Sequence, residues 1–339
     1  MNRLLAILLV AIVILNSNIC SSYQPRFNSK YFRFKESNIH YTFENKPPST
    51  SSTISNNNSQ KILEEKPVLL FIPGFGVGSF HFESNIESLS HDYNVFCVDL
   101  LGQGLSWPDD PNQKDLQYSS DLWADQIIYM IKNVIQQPVH IAGNSLGGYL
   151  SLIVASKHPE LIKSLNLLNP TPFWAFQDST NWLWDGSLPA PKLALTFGSI
   201  WFNLLRNPAT VKTMLSGVYY NPNACDDTLV NNIIKSASFK GGPEAFTSIA
   251  FAPKHALSFD ELITAVPNSI DMNLIMGGKD PWIVPYWAQR VKRLRPSAVY
   301  LELDKSGHCP NHETPTTTNA LLDYLISSWE MKDESKVNG

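Results

Sequence analysis

Six short apolar runs recur along the chain, each closed by Gly, Asn or Asp or by a change to polar residues. They are PVLLFIPG (67–74), YNVFCVDL (93–100), PVHIAG (138–143), SLNLLN (164–169), IDMNLIMG (270–277) and AVYLELD (298–304). Runs this short with little polar alternation suit strands buried on both faces. Helix-length stretches lie between most of them, such as 116–136 and 146–157. Strand–helix alternation predicts an α/β fold with a mostly parallel central sheet flanked by helices. Ahead of the first run, residues 32–36 and 39–43 alternate around Ser37-Asn38, which predicts an entry hairpin turning at that dipeptide. The stretch KPPSTSSTISNNNSQK (46–61) is rich in Pro, Ser and Asn and predicts a surface loop. Its Asn57-Asn58-Ser59 sequon matters only if the chain passes the secretory lumen.

Composition narrows the picture. At 339 residues, 43% hydrophobic and 17% charged, the chain has ample core material. A net charge of −4 gives no reason to expect nucleic-acid binding. No phosphate loop or dinucleotide fingerprint occurs, and no metal-ligand spacing, so no cofactor or metal is expected. The four cysteines, Cys20, Cys97, Cys225 and Cys309, do not form a disulfide framework.

The N-terminus predicts a leader. Arg3 precedes an apolar run over 4–15, and small polar residues follow, which is a signal-peptide plan for residues 1–22. A short signal anchor is the alternative. Residues 23–35 carry Arg26, Lys30, Arg33 and Lys35 with no acid. Such a stretch behind a signal peptide resembles the second half of a complex-plastid leader, with a plain basic linker as the other reading.

The segment IAGNSLGGYL (141–150) gives the chain its chemistry. A strand-like run leads straight into Gly143-x-Ser145-x-Gly147, and a helical stretch follows. This is the nucleophile elbow of α/β-hydrolases, in which a tight turn lifts the serine hydroxyl above the sheet. A serine needs a base, and the base an orienting acid, in the chain order Ser, acid, His. Of the histidines after Ser145, His158 ends the elbow helix and His255 lies in the irregular middle of the chain. His308 follows the last strand in LELDKSGHCPNHE, with His312 close behind. His308 is therefore the expected base. Asp280 in LIMGGKDPW sits at a strand's carboxyl end and is the expected acid, with Asp304 as competitor. The oxyanion needs two backbone donors. Leu146 follows the nucleophile, and Phe75 lies in the loop FIPGFGVGSF. Asp99 in DLLGQGLS reads as structural, tying a loop near the site.

Residues 170–269 carry little strand character and are expected to form a mainly helical cap inserted before the penultimate strand. The core would then be 36–169 and 270–331. Four of the nine tryptophans fall in the cap: Trp174, Trp182, Trp184 and Trp201. Phe173, Phe176, Phe197 and Phe202 accompany them. Most should be cap core, while Phe173 and Trp174 in NPTPFWAF are candidates for the wall of a wide apolar pocket.

The segments PGFGVGSFHFE, DLLGQGLSWP, HIAGNSLGGYLSL, LLNPTPFWAF, EAFTSIAFAP, GGKDPWIVP and SGHCPNHETP together resemble the pheophytinases. These are plastid serine hydrolases that remove the phytyl tail of pheophytin. The resemblance runs from about residue 67 to about 329, cap included. It implies Ser145 as nucleophile, His308 as base and Asp280 as acid. It further implies a phytylated tetrapyrrole as substrate, a plastid location and peripheral contact with the thylakoid membrane. The N-terminus departs from the plant-type pattern, which leaves the secretory pathway as an alternative compartment. Rival functions are a carbon–carbon bond hydrolase, a general carboxylesterase or lipase, and a hydrolase-fold receptor for a small hydrophobe.

Overall fold

The computed structural model describes residues 24–47, 66–172 and 184–337. All six apolar runs are strands of one nine-stranded sheet. They are β3 (Val68–Ile72), β4 (Asn94–Val98), β6 (Val139–Asn144), β7 (Ile162–Leu168), β8 (Asp271–Gly277) and β9 (Val299–Leu303). Together with β1 (Ser29–Phe34) and β2 (Ser37–Glu44) they lie in the order β1-β2-β4-β3-β6-β7-β8-β9, and β5 (Trp107–Pro108) pairs with β2. From β4 to β9 every neighbouring pair is parallel, while β1, β2 and β4 pair antiparallel.

Alternation along the central strands explains the two covering layers. Val68, Leu70 and Ile72 of β3 join one buried cluster with Trp123, Leu150 and Ile153, from the helices Ser120–Met130 and Leu146–Lys157. Leu69 and Phe71 point the other way, to Ile86 of helix Glu83–Leu89 and Leu322 of helix Pro315–Val337. With both faces covered, polar alternation is absent from these strands, and each fully buried leucine contributes about 1.5–3 kcal/mol. The stretch 116–136 is shorter as a helix than its pattern predicts. It begins at Ser120, where the Ser119 hydroxyl caps the Leu122 N–H, passes through a wider turn at Ile131–Ile135, and ends at Gln136 with φ 62°.

The entry hairpin exists, but its turn lies two residues earlier than predicted. Phe34 pairs with Ser37, and Lys35 and Glu36 make the turn with φ of 44° and 54°. Ser37 is buried, and its hydroxyl donates to the Lys35 carbonyl. Asn38 is held by Arg33 and Asp109. The turn-forming side chains thus serve neighbours of the turn. Residues 29–34 of the basic segment 23–35 are sheet edge, and its arginines have acidic partners: Arg26 meets Glu87 at 2.9 Å and Arg33 meets Asp109 at 2.6 Å. The signal peptide, the sequon and most of the Pro/Ser/Asn stretch lie outside the described residues.

Between β7 and β8 the described chain is helical: Lys192–Leu205, Pro208–Ser216, Asp227–Ser236, Gly242–Phe251 and Phe259–Ala265. The last of these packs against the helix Leu146–Lys157. Its Phe259, Leu262 and Ile263 are buried in the same cluster as Leu150, as are Ala245 and Ile249 of the preceding helix.

Candidate active site

The elbow is built by close backbone approach. Ser145 has φ 54° and ψ −116°, a conformation that costs about 1–3 kcal/mol and must be held from outside. Its N–H donates to the Leu168 carbonyl on β7 at 2.9 Å, and its carbonyl accepts from Tyr149 and Thr171. Gly143 and Gly147 leave the space for this turn. A Cβ on Gly147 would lie 2.1 Å from the Ile72 carbonyl oxygen, and one on Gly143 would lie 2.4 Å from Gly147.

Two loops at the carboxyl ends of β8 and β9 complete the constellation. His308 Nε2 lies 2.8 Å from Ser145 Oγ, and His308 Nδ1 lies 2.6 Å from Asp280 Oδ2. An ionised carboxylate only accepts, so the proton sits on Nδ1 and leaves Nε2 to accept from the serine hydroxyl. Asp280 is buried. Its Oδ1 accepts from the N–H groups of Trp282 and Ile283 at 2.8 and 3.0 Å, and its Oδ2 from Asn169 Nδ2 at 2.7 Å. Burial pushes this carboxyl up, but the hydrogen bonds from His308 and the two N–H groups outweigh it and hold the acid below the usual carboxylate range. Asp304 is exposed on the turn after β9, while the His308 ring faces Asp280.

The histidine loop is fixed from both sides. Asn144 Nδ2 donates to the His308 carbonyl at 3.0 Å, and the His308 N–H donates to the Val218 carbonyl at 2.9 Å. Buried Glu313 accepts from the N–H groups of Gly307, Tyr220 and Asn221, joining this loop to the helical insertion. The Trp282 ring meets His308 edge-on at 5.4 Å.

The remaining histidines occupy other surroundings. His312 is stacked on His81 with ring centroids 4.8 Å apart, and burial lowers it below the usual imidazole range. His158 meets Glu160, and His255 meets Asp121. Asp99 is buried and accepts from the N–H groups of Ser79 and Leu105 and from His40 Nδ1, so it ties the loops beside the site. Leu146 opens its helix, where the first N–H groups have no partner within the helix. The loop bearing Phe75 passes Ser145: a Cβ on Gly74 would lie 3.4 Å from Ser145 Cβ. Among the described residues, no group of three or more His, Cys, Asp or Glu could hold a metal ion.

Ser145 and His308 open into a cavity of about 850 Å³, walled by Phe75, Trp107, Phe202, Phe246, Trp282 and Trp287 among others. Phe173 and Trp174, expected as wall residues, lie outside the described residues. The described wall draws instead on Phe202 and Phe246, whose rings meet at 5.7 Å. Trp184 packs on Phe251 at 5.2 Å within the insertion, whereas Phe197 and Trp201 are exposed. Sequence reasoning missed Asn144, Asn169 and Glu313. Asn169 alone left a trace, as a polar residue closing a buried strand immediately before a proline.

The chain belongs to the alpha/beta hydrolase family, which matches residues 69–321. It is 35% identical over 308 residues to the chloroplastic pheophytinase of Arabidopsis thaliana, covering 78% of this chain and 61% of that protein. It is 26% identical to the 2-(acetamidomethylene)succinate hydrolase of Mesorhizobium japonicum, covering 77% and 88%. Among solved structures, a thermophilic esterase from Thermogutta terrifontis superposes with a TM-score of 0.64 at 15% identity, over 89% of this chain and 99% of that one. A meta-cleavage product hydrolase from Pseudomonas fluorescens gives 0.63 at 20%, over 86% and 95%. The two structures share the fold.

Proposed function

We propose that this chain is a serine ester hydrolase that cleaves the phytyl ester of a tetrapyrrole, with pheophytin as substrate. The observation that carries the reading is the continuous Ser145–His308–Asp280 chain of hydrogen bonds at the floor of a wide aromatic cavity. The likeness to pheophytinase adds the substrate class. His308 Nε2 accepts the Ser145 proton as Oγ attacks the propionate carbonyl. Asp280 holds the ring in the required tautomer and balances the imidazolium charge. The N–H groups of Phe75 and Leu146 receive the oxyanion. Collapse expels phytol, which takes its proton from His308. Water then enters, His308 accepts its proton, and the acyl-enzyme releases pheophorbide. Chemistry of this kind uses no metal or cofactor.

The flat, apolar walls suit a macrocycle, because aromatic rings grip a π-face with large contact area. The proposed compartment is a plastid reached through the N-terminal leader, in line with the chloroplastic relative. The test sets pheophytin, chlorophyll and a short nitrophenyl ester side by side, with products identified by mass. Phytol together with an intact macrocycle is expected. Cleavage of a carbon–carbon bond, or binding of pheophytin without turnover, would replace the proposal with one of its rivals.

A further inference from the structure

The helix Lys192–Leu205 has two apolar faces and, among the described residues, a partner for only one of them. On the inner face, Gly198 sits so close to the helix Gly242–Phe251 that an added Cβ would lie 1.9 Å from Thr247 Oγ1. Phe202 and Leu205 line the cavity that holds Ser145 and His308. On the outer face, Leu193, Phe197, Ile200, Trp201 and Leu204 are exposed, Leu193 by 71% and Trp201 by 60%. Their spacing of i, i+4, i+7, i+8 and i+11 places them in one stripe. Scattered exposed hydrophobics are ordinary, but a contiguous stripe marks a contact surface.

Charge selects the occupant. The chain carries −4 overall, yet residues 186–225, between Asp185 and Asp226, hold no Asp or Glu; of their three cations Lys212 pairs with Asp227, which leaves Lys192 and Arg206 beside the apolar face. An apolar helical face within an acid-free, basic stretch has the composition of a helix that lies in a membrane interface and is drawn to anionic lipid. The rim of the cavity continues this character. Phe75, Met214 and Trp282 line the cavity and are also exposed.

We infer that the outer face of this helix docks the protein on an anionic lipid bilayer, with the mouth of the cavity set toward the lipid. An ester dissolved in that bilayer would then reach Ser145 along apolar surface, a consequence that rests on the phytyl-ester reading. Docking itself does not rest on it.

The experiment is cosedimentation of the full chain with vesicles of phosphatidylglycerol and phosphatidylcholine, and with phosphatidylcholine alone. The wild-type protein is expected to pellet with the anionic vesicles and to be released by salt at about 0.5 M, where charge is screened over a few ångströms. Phe197→Ser with Trp201→Ser lowers the bound fraction about tenfold or more. Lys192→Gln lowers it about fivefold on anionic vesicles only. Turnover of a short nitrophenyl ester stays at the wild-type level in both variants, which shows that they fold. A wild-type protein that ignores both vesicles overturns the inference, as does a double variant that binds like wild type. A dimer that the double variant splits would assign the face to a second copy. Binding that appears only on deletion of residues 173–183 would assign it to that segment. Loss of pheophytin turnover with intact vesicle binding would count against the substrate reading alone.

Discussion

Replacing Asn169 by aspartate changes one atom's chemistry beside Asp280, the proposed catalytic acid, and almost nothing else. Asn169 holds φ 42°, a conformation that Asn and Asp tolerate better than other side chains. Its Oδ1 accepts from the Gly277 N–H at 2.7 Å, and aspartate keeps that bond. Its Nδ2 donates to Asp280 Oδ2 at 2.7 Å, and there aspartate places a second carboxylate oxygen against the first. Two ionised carboxylates at that separation repel strongly, so the pair gives up its second proton only in the alkaline range. Below that, the introduced carboxyl donates to Asp280 as the amide did, and kcat/KM on a short nitrophenyl ester stays within a few-fold of wild type. Within it, both groups ionise, Asp280 is pushed from its place, and kcat/KM falls by about tenfold or more while the wild-type profile stays level. Asn169→Ala removes the donor and orphans the buried Gly277 N–H. It should destabilise by about 3–5 kcal/mol and lower turnover without the alkaline limb. An Asn169→Asp profile that overlays wild type from pH 6 to about pH 9 would refute the positioning role.

Asp280→Asn is expected to cut turnover by about a thousandfold or more and Asp304→Asn by less than about twofold, measured as kcat/KM; the reverse ranking would move the acid to Asp304. Gly147→Ala forces a Cβ against backbone at 2.1 Å, so a fall in Tm of about 5–10 °C is expected, and an unchanged Tm would contradict the account of the elbow. Asp121 accepts from His255, which outweighs its partial burial, and with Lys157 also donating its carboxyl is held down at about 2. A depressed acid stabilises the fold above its unfolded value near about 3.9 and loses that contribution as pH falls through about 2. Asp121→Asn should therefore lower Tm at neutral pH, with a difference from wild type that closes toward pH 2.

The five inner strands were legible because burial on both faces removes polar residues from them, whereas the edge strand Val299–Leu303, expected to be buried on both faces, has no buried residue. The elbow was legible because its glycines answer a steric demand of the backbone. Ser145 follows directly on the carboxyl end of its strand, and Asp280 and His308 lie in the short loops after later strands' carboxyl ends, so local pattern carried global position. Lys35 and Glu36 gave no turn signal, since neither side chain favours positive φ, and pairing of β1 with β2 sets the turn there. Asn169 and Glu313 act on residues more than ninety positions away or across the insertion, which no local window contains. The cavity wall was the least legible part. Phe202 shares its helix with exposed Trp201, and only packing against Phe246 decides which aromatic turns inward.

The most direct test of the central claim is product release from pheophytin by the wild-type chain and by Ser145→Ala, followed to many turnovers. The account predicts equimolar phytol and pheophorbide from wild type and a loss of about a thousandfold or more in a folded Ser145→Ala. A short ester hydrolysed while pheophytin stays whole would contradict the substrate, and a tenth of wild-type turnover surviving in Ser145→Ala would contradict the nucleophile.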